Sequence, residues 1–530
     1  MNLKIRFPRY WMAGLLAALL GAVSLQYSRA ETSPSVRQPA VAGAFYPADP
    51  KALAAMIDDL LAHASPPLLH DPIVAVVAPH AGYQFSGPVA AYTYAALKGR
   101  KFSRVVVIAP SHFEPFDFTS VYDGDAYATP LGTVPVDKAF AKQLARMNSS
   151  IRLSSSGHVP TKEGAEHALE VQLPWLQRVL GNFELVPVVM GDQSYESSRA
   201  LGVALAKLIP GSDTLIVASS DLSHYHPYDE AVKIDHKTLN ALQAWDYFSM
   251  SQNFGMRVWE ACGGAPIVAA MIAAERMGAN QAVLLKYANS GETTGDHSRV
   301  VGYSAVAMLK GEGRKAGEQP FTVGSHDKSE LLALAHKSVE EAVRERQVYE
   351  PVASTSESLN QERGAFVTLR KSGELRGCIG YTSAVKPLYL TVRDTAALAA
   401  LRDSRFQPVS TSELGQLEYE ISVLSPLRRV LDVREIKVGQ HGLLMRNGED
   451  QGLLLPQVPV EEGWDRQKFL EQTCVKAGMR TNCWKDENTD IFMFTAVVFG
   501  ENVPKPMPER SLAPGLPGRP GQPAPGLAPH

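Results

Sequence analysis

The sequence predicts two folded domains, a layered α/β domain followed by a smaller α+β domain. Between residues 37 and 310, short continuous apolar runs alternate with stretches of helical pattern, which is typical of a buried parallel sheet covered by helices. Between residues 327 and 502, strands paired through turns and separate helices indicate an α+β arrangement. A polar, glycine-rich stretch separates the two patterns.

Length and composition exclude several classes of protein. The chain has 530 residues, of which 45% are hydrophobic and 20% are charged, so it is neither wholly disordered nor fibrous. The formal net charge of -3 argues against a general nucleic-acid binder. Four cysteines in a chain of this length cannot form a disulfide scaffold.

The first 30 residues have the pattern of a secretory signal peptide. Lys4, Arg6 and Arg9 precede an apolar run, and small residues at positions 28 and 30 suit a signal peptidase. The run covers residues 11–23 and is shorter than the about 20 residues that a membrane-spanning helix needs. We expect an exported protein, periplasmic or secreted, with no stable membrane span after cleavage. The alternative is an uncleaved N-terminal segment that anchors the chain to a membrane.

Composition divides the chain into five segments. The predicted boundaries are a signal peptide at 1–30, a first domain at 37–310, a linker at 311–326, a second domain at 327–502 and a tail at 503–530. The tail is rich in proline and glycine, so it cannot bury a core and is predicted to be disordered.

Apolar runs and helical periodicity predict the individual elements. In the first domain, strands are expected at 73–77, 105–108, 185–190 and 215–218, and helices at 50–63, 88–98, 137–147, 166–180, 197–209 and 266–278. In the second domain, helices are expected at 328–346 and 387–402, and strands at 365–370, 375–381, 417–424, 453–457 and 491–499.

Histidines follow three of the predicted strands of the first domain. His80 and His112 follow the first two strands, and Asp221 and His224 follow the fourth. Ligands bind beyond the carboxyl ends of strands in open α/β sheets, and parallel neighbours would bring these side chains to one edge. The pattern predicts a metal site or an acid/base site. The alternative is a solvated or structural histidine, which we expect for His226.

The stretch EHALE, residues 166–170, is predicted to open a helix on which His167 and Glu170 share a face. A zinc peptidase of the H-x-x-E-H type would need a second histidine at position 171, where the chain has valine. Two interpretations stay open, a functional pair or acidic residues that stabilise a helix N-terminus.

Cys262 lies just before the predicted helix 266–278. A cysteine at a helix N-terminus is expected to have a lowered pKa and more thiolate character, which suits a metal ligand or a redox thiol. The alternative is a small buried apolar residue. The sequence pattern leaves both interpretations open.

An ordered set of motifs in the first domain resembles the Memo family, also called AmmeMemoRadiSam system protein B. The motifs are AGAFYP from residue 42, APHAGY from 78, PSH from 110, EHALEVQLPWL from 166, SSDLSHY from 219 and CGGAPI from 262. The resemblance implies a fold like that of class III extradiol dioxygenases of the LigB type and a mononuclear iron or copper site. By resemblance, the metal ligands are His80, His112 and Cys262, and the pocket residues that act on a substrate are His224, His167 and Asp221, with Glu166 beside them.

The chain departs from this family pattern at positions that would face a substrate. Phe113 stands where many members have a second histidine, and Gly264 and Ala265 stand where the animal-type motif has arginine and histidine. The activity of any one member therefore does not carry over to this chain.

The second domain resembles the AMMECR family, AmmeMemoRadiSam system protein A. The motifs are GAFVTL from residue 364, LRGCIG from 375, DSRF from 403, YEISVL from 419 and GLLLPQ from 452. This family brings no established chemistry, so Cys378 is either a reactive thiol or a buried strand cysteine. Cys474 either pairs with Cys483 after export or lies on a helix face. Both families occur alongside a radical SAM protein, which implies such a protein as a partner.

The leading functional hypothesis is an iron- or copper-dependent oxidoreductase that acts on an unidentified small molecule. Two imidazoles and an anionic third ligand, Cys262 or Asp221, leave positions open for O₂ and a substrate on Fe(II), and a thiolate also suits copper. His224 or His167 would be the general acid/base. The alternative is a non-catalytic metal-binding or scaffold protein of the AmmeMemoRadiSam system. A third hypothesis, a zinc hydrolase, predicts peptidase or amidase activity.

Overall fold

A computed structural model describes residues 35–162, 164–311 and 322–501. The predicted signal peptide and tail, and most of the predicted linker, lie outside these residues. Within the described ranges, no helix has both the length and the apolar character that crossing a membrane would require.

The first domain alternates strands and helices as predicted. Its strands are β1 (Val36–Arg37), β2 (Ile73–Ala78), β3 (Arg104–Pro110), β4 (Thr119–Val121), β5 (Ala126–Thr129), β6 (Gly132–Pro135), β7 (Ile151–Leu153), β8 (Glu184–Met190), β9 (Thr214–Ser219), β10 (His224–His226), β11 (Gln281–Asn289) and β12 (Val300–Leu309). Its helices are α1 (Pro50–His63), α2 (Tyr83–Ala95), α3 (Lys138–Ala145), α4 (Leu173–Leu180), α5 (Tyr195–Leu208), α6 (Tyr228–Gln243), α7 (Tyr247–Gly255), α8 (Gly264–Arg276) and α9 (Gly291–Thr294).

The main sheet of this domain is parallel at its centre and antiparallel towards its edges. Its strand order is β10-β12-β2-β9-β3-β8-β4-β7, with β11 beside β12. The four central strands β2, β9, β3 and β8 run parallel, which confirms the α/β prediction. The antiparallel pairs of β12 with β2 and with β11, and of β4 with β8, follow from strands that the sequence analysis did not predict.

The central strands are apolar throughout because both faces of the sheet are covered. On β3, Val106 and Ile108 face one hydrophobic cluster while Val105 and Val107 face the other. Side chains alternate between the faces of a strand, so a strand buried on both sides must be apolar at every position. This explains why the apolar runs located these strands within one or two residues.

The predicted helix at 166–180 is wrong at its beginning. The α-helix α4 begins at Leu173, after a 3₁₀ turn at Glu170–Gln172. The Glu166 carboxylate accepts the backbone N–H groups of His167 and Ala168, each at 2.8 Å, and so holds the chain in a loop. His167 and Glu170 therefore do not share a helix face.

The Glu170 carboxylate points away from the loop towards the start of the domain. It is fully buried, pairs with the Arg37 guanidinium and accepts the backbone N–H of Ala40 at 2.8 Å. A buried carboxylate needs such partners to offset its desolvation. This contact ties the loop at 166–169 to the N-terminal segment.

The predicted helix at 88–98 begins earlier than expected. Pro88 is typical of a first helical turn, but here it lies inside α2, which starts at Tyr83 directly after Gly82. The Tyr83 backbone N–H donates to the Phe45 carbonyl at 2.8 Å. A contact remote in sequence therefore sets the start of this helix.

The second domain is α+β, as predicted. Its strands are β13 (Ala365–Lys371), β14 (Glu374–Tyr381), β15 (Leu417–Leu424), β16 (Arg428–Arg429), β17 (Gly442–Asn447), β18 (Asp450–Leu454), β19 (Asp490–Phe494) and β20 (Ala496–Gly500). Its helices are α10 (Ser325–Arg344), α11 (Glu357–Asn360), α12 (Leu388–Leu401), α13 (Val458–Glu461) and α14 (Arg466–Lys476). They accompany two four-stranded sheets, β14-β13-β15-β20 and β16-β19-β17-β18.

Three predicted boundaries of the second domain are wrong. Helix α10 begins inside the predicted linker, at Ser325, because Gly324 in extended conformation precedes it. The strand expected at 453–457 ends at Leu454, ahead of Pro456, which has no N–H for a ladder. The strand expected at 491–499 is divided near Thr495 into β19 and β20, which belong to different sheets.

The structure shows the bonding and the environment of the cysteines in the second domain. Cys474 and Cys483 form a disulfide. Cys378 lies in β14, where its thiol accepts a hydrogen bond from the Thr368 hydroxyl at 3.3 Å. Burial raises the pKa of the Cys378 thiol, which is the opposite of what a reactive thiol requires. The structure therefore favours the buried strand cysteine.

The two domains share one hydrophobic cluster. Phe248 of α7 packs against Phe492 of β19 with ring centroids 5.1 Å apart, and both rings are buried. Leu427, Leu444 and Phe494 of the second domain belong to the same cluster as the apolar face of α8. Burial of this kind resembles a domain core more than the polar contact of two independently moving domains.

A buried charge cluster lies beside this shared core. Asp490 of the second domain contacts the guanidinium groups of Arg199, Arg276 and Arg429, of which the first two belong to the first domain. Burial alone would raise the pKa of Asp490, but the hydrogen bond from Arg199 and the nearby positive charges lower it below its ordinary value. Asp490 is therefore ionised and joins the two domains.

We predict that Asp490→Ala lowers the free energy of unfolding by about 3 to 5 kcal/mol, because it leaves guanidinium groups buried without their carboxylate. Chemical denaturation of the full chain measures this. Glu487→Ala is the matched control, since Glu487 makes an exposed interdomain pair with Lys207 and its loss should change little. Equal effects of the two substitutions would contradict the prediction.

Candidate metal centre

The carboxyl ends of three neighbouring strands meet at one edge of the central sheet. Strand β9 lies between β2 and β3, all three run parallel, and His80, His112 and Asp221 each follow one of them by two residues. One donor atom from each of His80, His112 and Cys262 lies within 4.8 Å of the other two. The structure therefore brings together three residues that are far apart in the sequence.

Gly263 allows Cys262 to reach this edge. A Cβ atom at Gly263 would lie 2.2 Å from the Ser219 carbonyl oxygen, so only glycine fits against the end of β9. The Gly263 N–H donates to the Ser220 hydroxyl at 3.0 Å. As a result, the Cys262 Sγ lies 3.0 Å from the His80 Nε2.

Gly264 explains one departure from the family pattern. A Cβ atom at Gly264 would lie 2.7 Å from the Phe254 ring, and Ala265 is buried. An arginine at position 264 would require Phe254 of α7 to move. In this chain, the Phe254 ring takes the space that a larger side chain at position 264 would need.

Hydrogen bonds determine which nitrogen of His80 is free. The His80 Nδ1 lies 2.9 Å from the Ser219 Oγ, which donates its own proton to the Ala168 carbonyl at 2.6 Å. The Ser219 oxygen also accepts the Gln172 amide at 2.7 Å. Since its only proton is already donated, Ser219 can only accept from His80, so Nδ1 carries the hydrogen and Nε2 is free.

Hydrogen bonds at Nδ1 also set the proton positions of His112 and His224. The His112 Nδ1 lies 3.0 Å from the Glu166 Oε1, and the His112 backbone N–H donates to the other oxygen of that carboxylate at 2.6 Å. The His224 Nδ1 lies 2.8 Å from the Leu222 carbonyl oxygen. A carboxylate or carbonyl accepts from Nδ1, so Nε2 is the free nitrogen of both rings.

The electrostatics of the centre keep the imidazoles of His80 and His167 neutral near pH 7. Burial, with the nearby His112, lowers the pKa of His80 well below its usual range. Burial, with the nearby His80, also lowers the pKa of His167 to about 4. For His112, burial lowers the pKa, but the hydrogen bond and charge of Glu166 outweigh burial and raise it. Neutral imidazole is the form that binds metal ions.

Glu166 is the ionised carboxylate of the centre. Burial would raise its pKa, but the hydrogen bond from His112 and further N–H donors outweigh burial and lower the pKa to about 2. A carboxylate that fixes the outer nitrogen of a ligating histidine is a common support of metal sites. Glu166 thus has a clear structural role beside the cluster, which the sequence analysis left open.

The expected low pKa of Cys262 is wrong for the protein without an ion. Enclosure by protein atoms raises the pKa of the thiol, and the neighbouring Asp221 raises it further. The two backbone N–H contacts from Asp221 and Gly263 act in the opposite direction but do not compensate. A bound cation would reverse this balance, because it deprotonates a coordinating thiol.

The three residues predicted to act on a substrate surround the donor cluster. The His167 ring is 5.0 Å from the His112 ring and stacked on it. Asp221, His224 and Cys262 form a second group whose donor atoms lie within 4.8 Å of one another. The Asp221 Oδ1 accepts the His80 backbone N–H at 2.8 Å, so this carboxylate also supports the strand end that carries His80.

Aromatic side chains border the side of the cluster that faces solvent. The side chain of His112 is 27% exposed, whereas His80 is buried. Phe113 is 40% exposed and Tyr225 more so, and Phe45 lies 4.5 Å from the His167 ring. His226 belongs to neither of the two donor groups described above, and its Nε2 lies 2.9 Å from the Glu260 Oε1.

Sequence reasoning missed the residues that support the ligands. Ser219 and Glu260 contact site histidines, and Gln172 donates to Ser219, yet serine, glutamine and an isolated glutamate carry little signal outside their structural context. Ser219 and Gln172 do stand inside the quoted motifs SSDLSHY and EHALEVQLPWL. Their presence there was the available clue.

The chemistry of the donor set fits a transition-metal ion. Two histidines present free Nε2 atoms, and a thiol lies beside them, so the cluster offers two neutral nitrogen ligands and one anionic sulfur ligand. This set suits iron, copper and zinc better than magnesium or calcium, which prefer oxygen ligands. His80, His112 and Cys262 would hold the ion.

Comparison with known proteins supports both domains. A family model described as "Memo-like protein" matches residues 37–307, and one described as "AMMECR1" matches residues 332–499. A MEMO1 family protein of Methanopyrus kandleri is 39% identical over 286 residues, covering 52% of this chain and 99% of that protein. A protein of Thermococcus kodakarensis is 45% identical over 185 residues, covering 33% of this chain and 90% of that protein.

A solved structure of an uncharacterized protein from Pyrococcus horikoshii is also similar. It is 39% identical, with a TM-score of 0.34, and the match covers 35% of this chain and 96% of that chain.

We predict different protonation states for His80 and His112 in the metal-free protein. As the pH falls through the ordinary range of histidine, at about 6.5, His80 should stay neutral with its proton on Nδ1, whereas His112 should already be protonated, because its pKa is raised. Nitrogen-15 NMR of the imidazoles measures both. Ser219→Ala should remove the Nδ1 preference of His80, and a proton found on His80 Nε2 in the unsubstituted chain would contradict the assignment.

Proposed function

The chain belongs to the Memo family over residues 37–307 and carries an AMMECR1 domain at 332–499, and from this premise we propose that its first domain binds one iron or copper ion through His80, His112 and Cys262. The observation that carries the proposal is the cluster of three donor atoms within 4.8 Å. The hydrogen bonds that leave the Nε2 atoms of both histidines free also support it.

Cys262 is a better candidate than Asp221 for the third ligand of the metal ion. The thiol belongs to the group formed with His80 and His112, whereas Asp221 belongs to the group with His224 and Cys262. One Asp221 oxygen already accepts the His80 backbone N–H, so its role is to position the strand end. A thiolate ligand is compatible with the proposed iron or copper.

We further propose an oxidoreductase reaction related to that of class III extradiol dioxygenases. Bound iron or copper supplies the redox chemistry with O₂. The chain's own residues bind and orient the substrate and move its protons. His167 is neutral near pH 7, so its ring can accept a proton. His224 presents its free Nε2 because Nδ1 is engaged by the Leu222 carbonyl, so it is the second acid/base residue.

A non-catalytic metal-binding or scaffold protein is the second candidate. Phe113 favours it, because an apolar ring lies 6.1 Å from His167 at a position where many family members have a second histidine. A centre with fewer polar groups at its mouth has fewer means to orient a substrate. The two candidates share the metal ligands and differ only in turnover.

We predict that the purified mature protein carries about one equivalent of iron or copper, one ion for the cluster of His80, His112 and Cys262. His80→Ala, His112→Ala and Cys262→Ser should each lose it while the protein stays folded, because two ligands hold an ion much more weakly than three. Elemental analysis with circular dichroism measures both. His63→Ala is the control, since His63 is exposed on α1 and should not affect metal content. Unchanged metal in all three site variants would defeat the assignment.

Oxygen consumption with catechol-like substrates distinguishes the two candidate functions. We predict that His167→Ala and His224→Ala each lower turnover at least a hundredfold, the usual worth of a general acid/base, while metal content is retained. Absence of oxygen consumption in the unsubstituted, metal-loaded protein would favour the scaffold. Chelation-sensitive peptidase or amidase activity would instead favour a zinc hydrolase.

We also propose that the protein is exported. The signal pattern at 1–30 and the disulfide between Cys474 and Cys483 support this, since disulfides persist in oxidising compartments. Recovery of a chain that begins at Glu31 from outside the cytoplasm would support it, and a full-length cytoplasmic chain would contradict it. Partnership with a radical SAM protein is the competing proposal, because that chemistry is expected in the cytoplasm; co-purification tests it.

A further inference from the structure

A short segment between α7 and α8 carries Cys262, and the second domain contacts it directly. The segment comprises residues 256–263. The Trp259 indole N–H donates to the Glu362 Oε2 at 3.1 Å, and Trp259 is only 5% exposed. Glu362 belongs to the second domain, so a carboxylate of one domain holds a residue that stands three positions before Cys262 of the other.

The other oxygen of Glu362 is also engaged by the first domain. The Lys237 ammonium of α6 donates to the Glu362 Oε1 at 2.7 Å, and the side chain of Glu362 is 14% exposed. A carboxylate that bridges a lysine and an indole fixes both relative to each other. Glu362 therefore clamps the Cys262 segment to α6.

A second contact holds the beginning of the same segment. The Asn253 side-chain amide donates to the Ala384 carbonyl of the second domain at 3.2 Å. The backbone N–H of Val258 donates to the Asn253 backbone carbonyl at 2.9 Å. The second domain thus engages both the last turn of α7 and the middle of the segment.

The segment also reaches the histidines on its other side. Glu260 accepts from the His226 Nε2 at 2.9 Å and from the His224 backbone N–H at 3.4 Å. Glu260 lies between Trp259 and Cys262 in the chain, so one short stretch links Glu362 to both the thiol and His224. A displacement of Trp259 would move two members of the candidate centre.

We propose that the second domain completes the metal centre, and that Glu362 is a positioning residue that holds Cys262 in place through Trp259. The inference rests on the proposed function, because it concerns the same donor cluster. It gives the fusion of the two domains a chemical consequence: the first domain supplies every ligand, and the second sets the geometry of the sulfur ligand.

Cobalt(II) is the probe for this proposal, since a thiolate bound to cobalt gives a charge-transfer absorption that histidine ligands do not. In the full chain, Glu362→Ala should weaken cobalt binding by about tenfold or more, as loss of a supporting residue typically does, and should diminish the thiolate absorption. Glu362→Gln keeps one oxygen that can accept from the Trp259 N–H but loses the acceptor for Lys237, so it should retain more of both signals than Glu362→Ala.

Two further variants separate positioning from loss of structure. Trp259→Phe keeps the aromatic packing but removes the N–H donor, so it should weaken the thiolate absorption without unfolding the protein. Glu487→Ala removes a different interdomain pair, that with Lys207, and should leave cobalt binding unchanged. An equal loss of cobalt binding in Glu487→Ala would overturn the proposal, because a general weakening of the contact between the two domains would then explain the effect.

The outcomes also separate this inference from the proposed function. If the unsubstituted chain binds no cobalt through its thiolate, the proposed metal centre fails. If it binds cobalt, but Glu362→Ala and Trp259→Phe bind with unchanged affinity and unchanged thiolate absorption, only the role of Glu362 is overturned.

Discussion

The parallel pairing of β2 with β9 is the contact on which the candidate metal centre depends. Its register sets Ala78 opposite Ser219. This places the His80 ring within hydrogen-bond distance of the Ser219 hydroxyl and the His80 backbone N–H on the Asp221 carboxylate. Gly263 packs on the Ser219 carbonyl and so brings Cys262 to the same strand end. A change in this register would separate the imidazole from the thiol.

The sequence predicted the parts of the first domain that are governed by local pattern. Strands buried on both faces must be apolar at each position, so β2, β3, β8 and β9 were found from their apolar runs. Their parallel order then implied that His80 and His112 would meet. The beginning of the 166–180 helix could not be predicted, because Arg37, more than a hundred residues away, pairs with Glu170 and helps to hold the preceding loop.

The environment of Cys262 and the union of the two domains also lay beyond sequence reasoning. A helix N-terminus lowers a thiol pKa in general, but the enclosure of Cys262 could be known only from the packing of α7 and β9 around it. The two domains looked independent because a polar linker joins them. Phe492, an ordinary strand residue in the sequence, turns out to pack on the first domain.

Helix α8 connects these features. Its first residue follows the Cys262–Gly263 pair, and its last residue, Arg276, contacts Asp490 of the second domain. The helix is buried along nearly its whole length, so it cannot shift freely at either end. Docking of the second domain and placement of the sulfur ligand are therefore parts of one packed arrangement.

Anomalous diffraction from crystals of the metal-loaded full chain locates the bound ion. We expect one anomalous peak within about 2.0 to 2.4 Å of the His80 Nε2, the His112 Nε2 and the Cys262 Sγ. A loaded protein whose ion lies at another site, with these three atoms uncoordinated, would contradict this expectation.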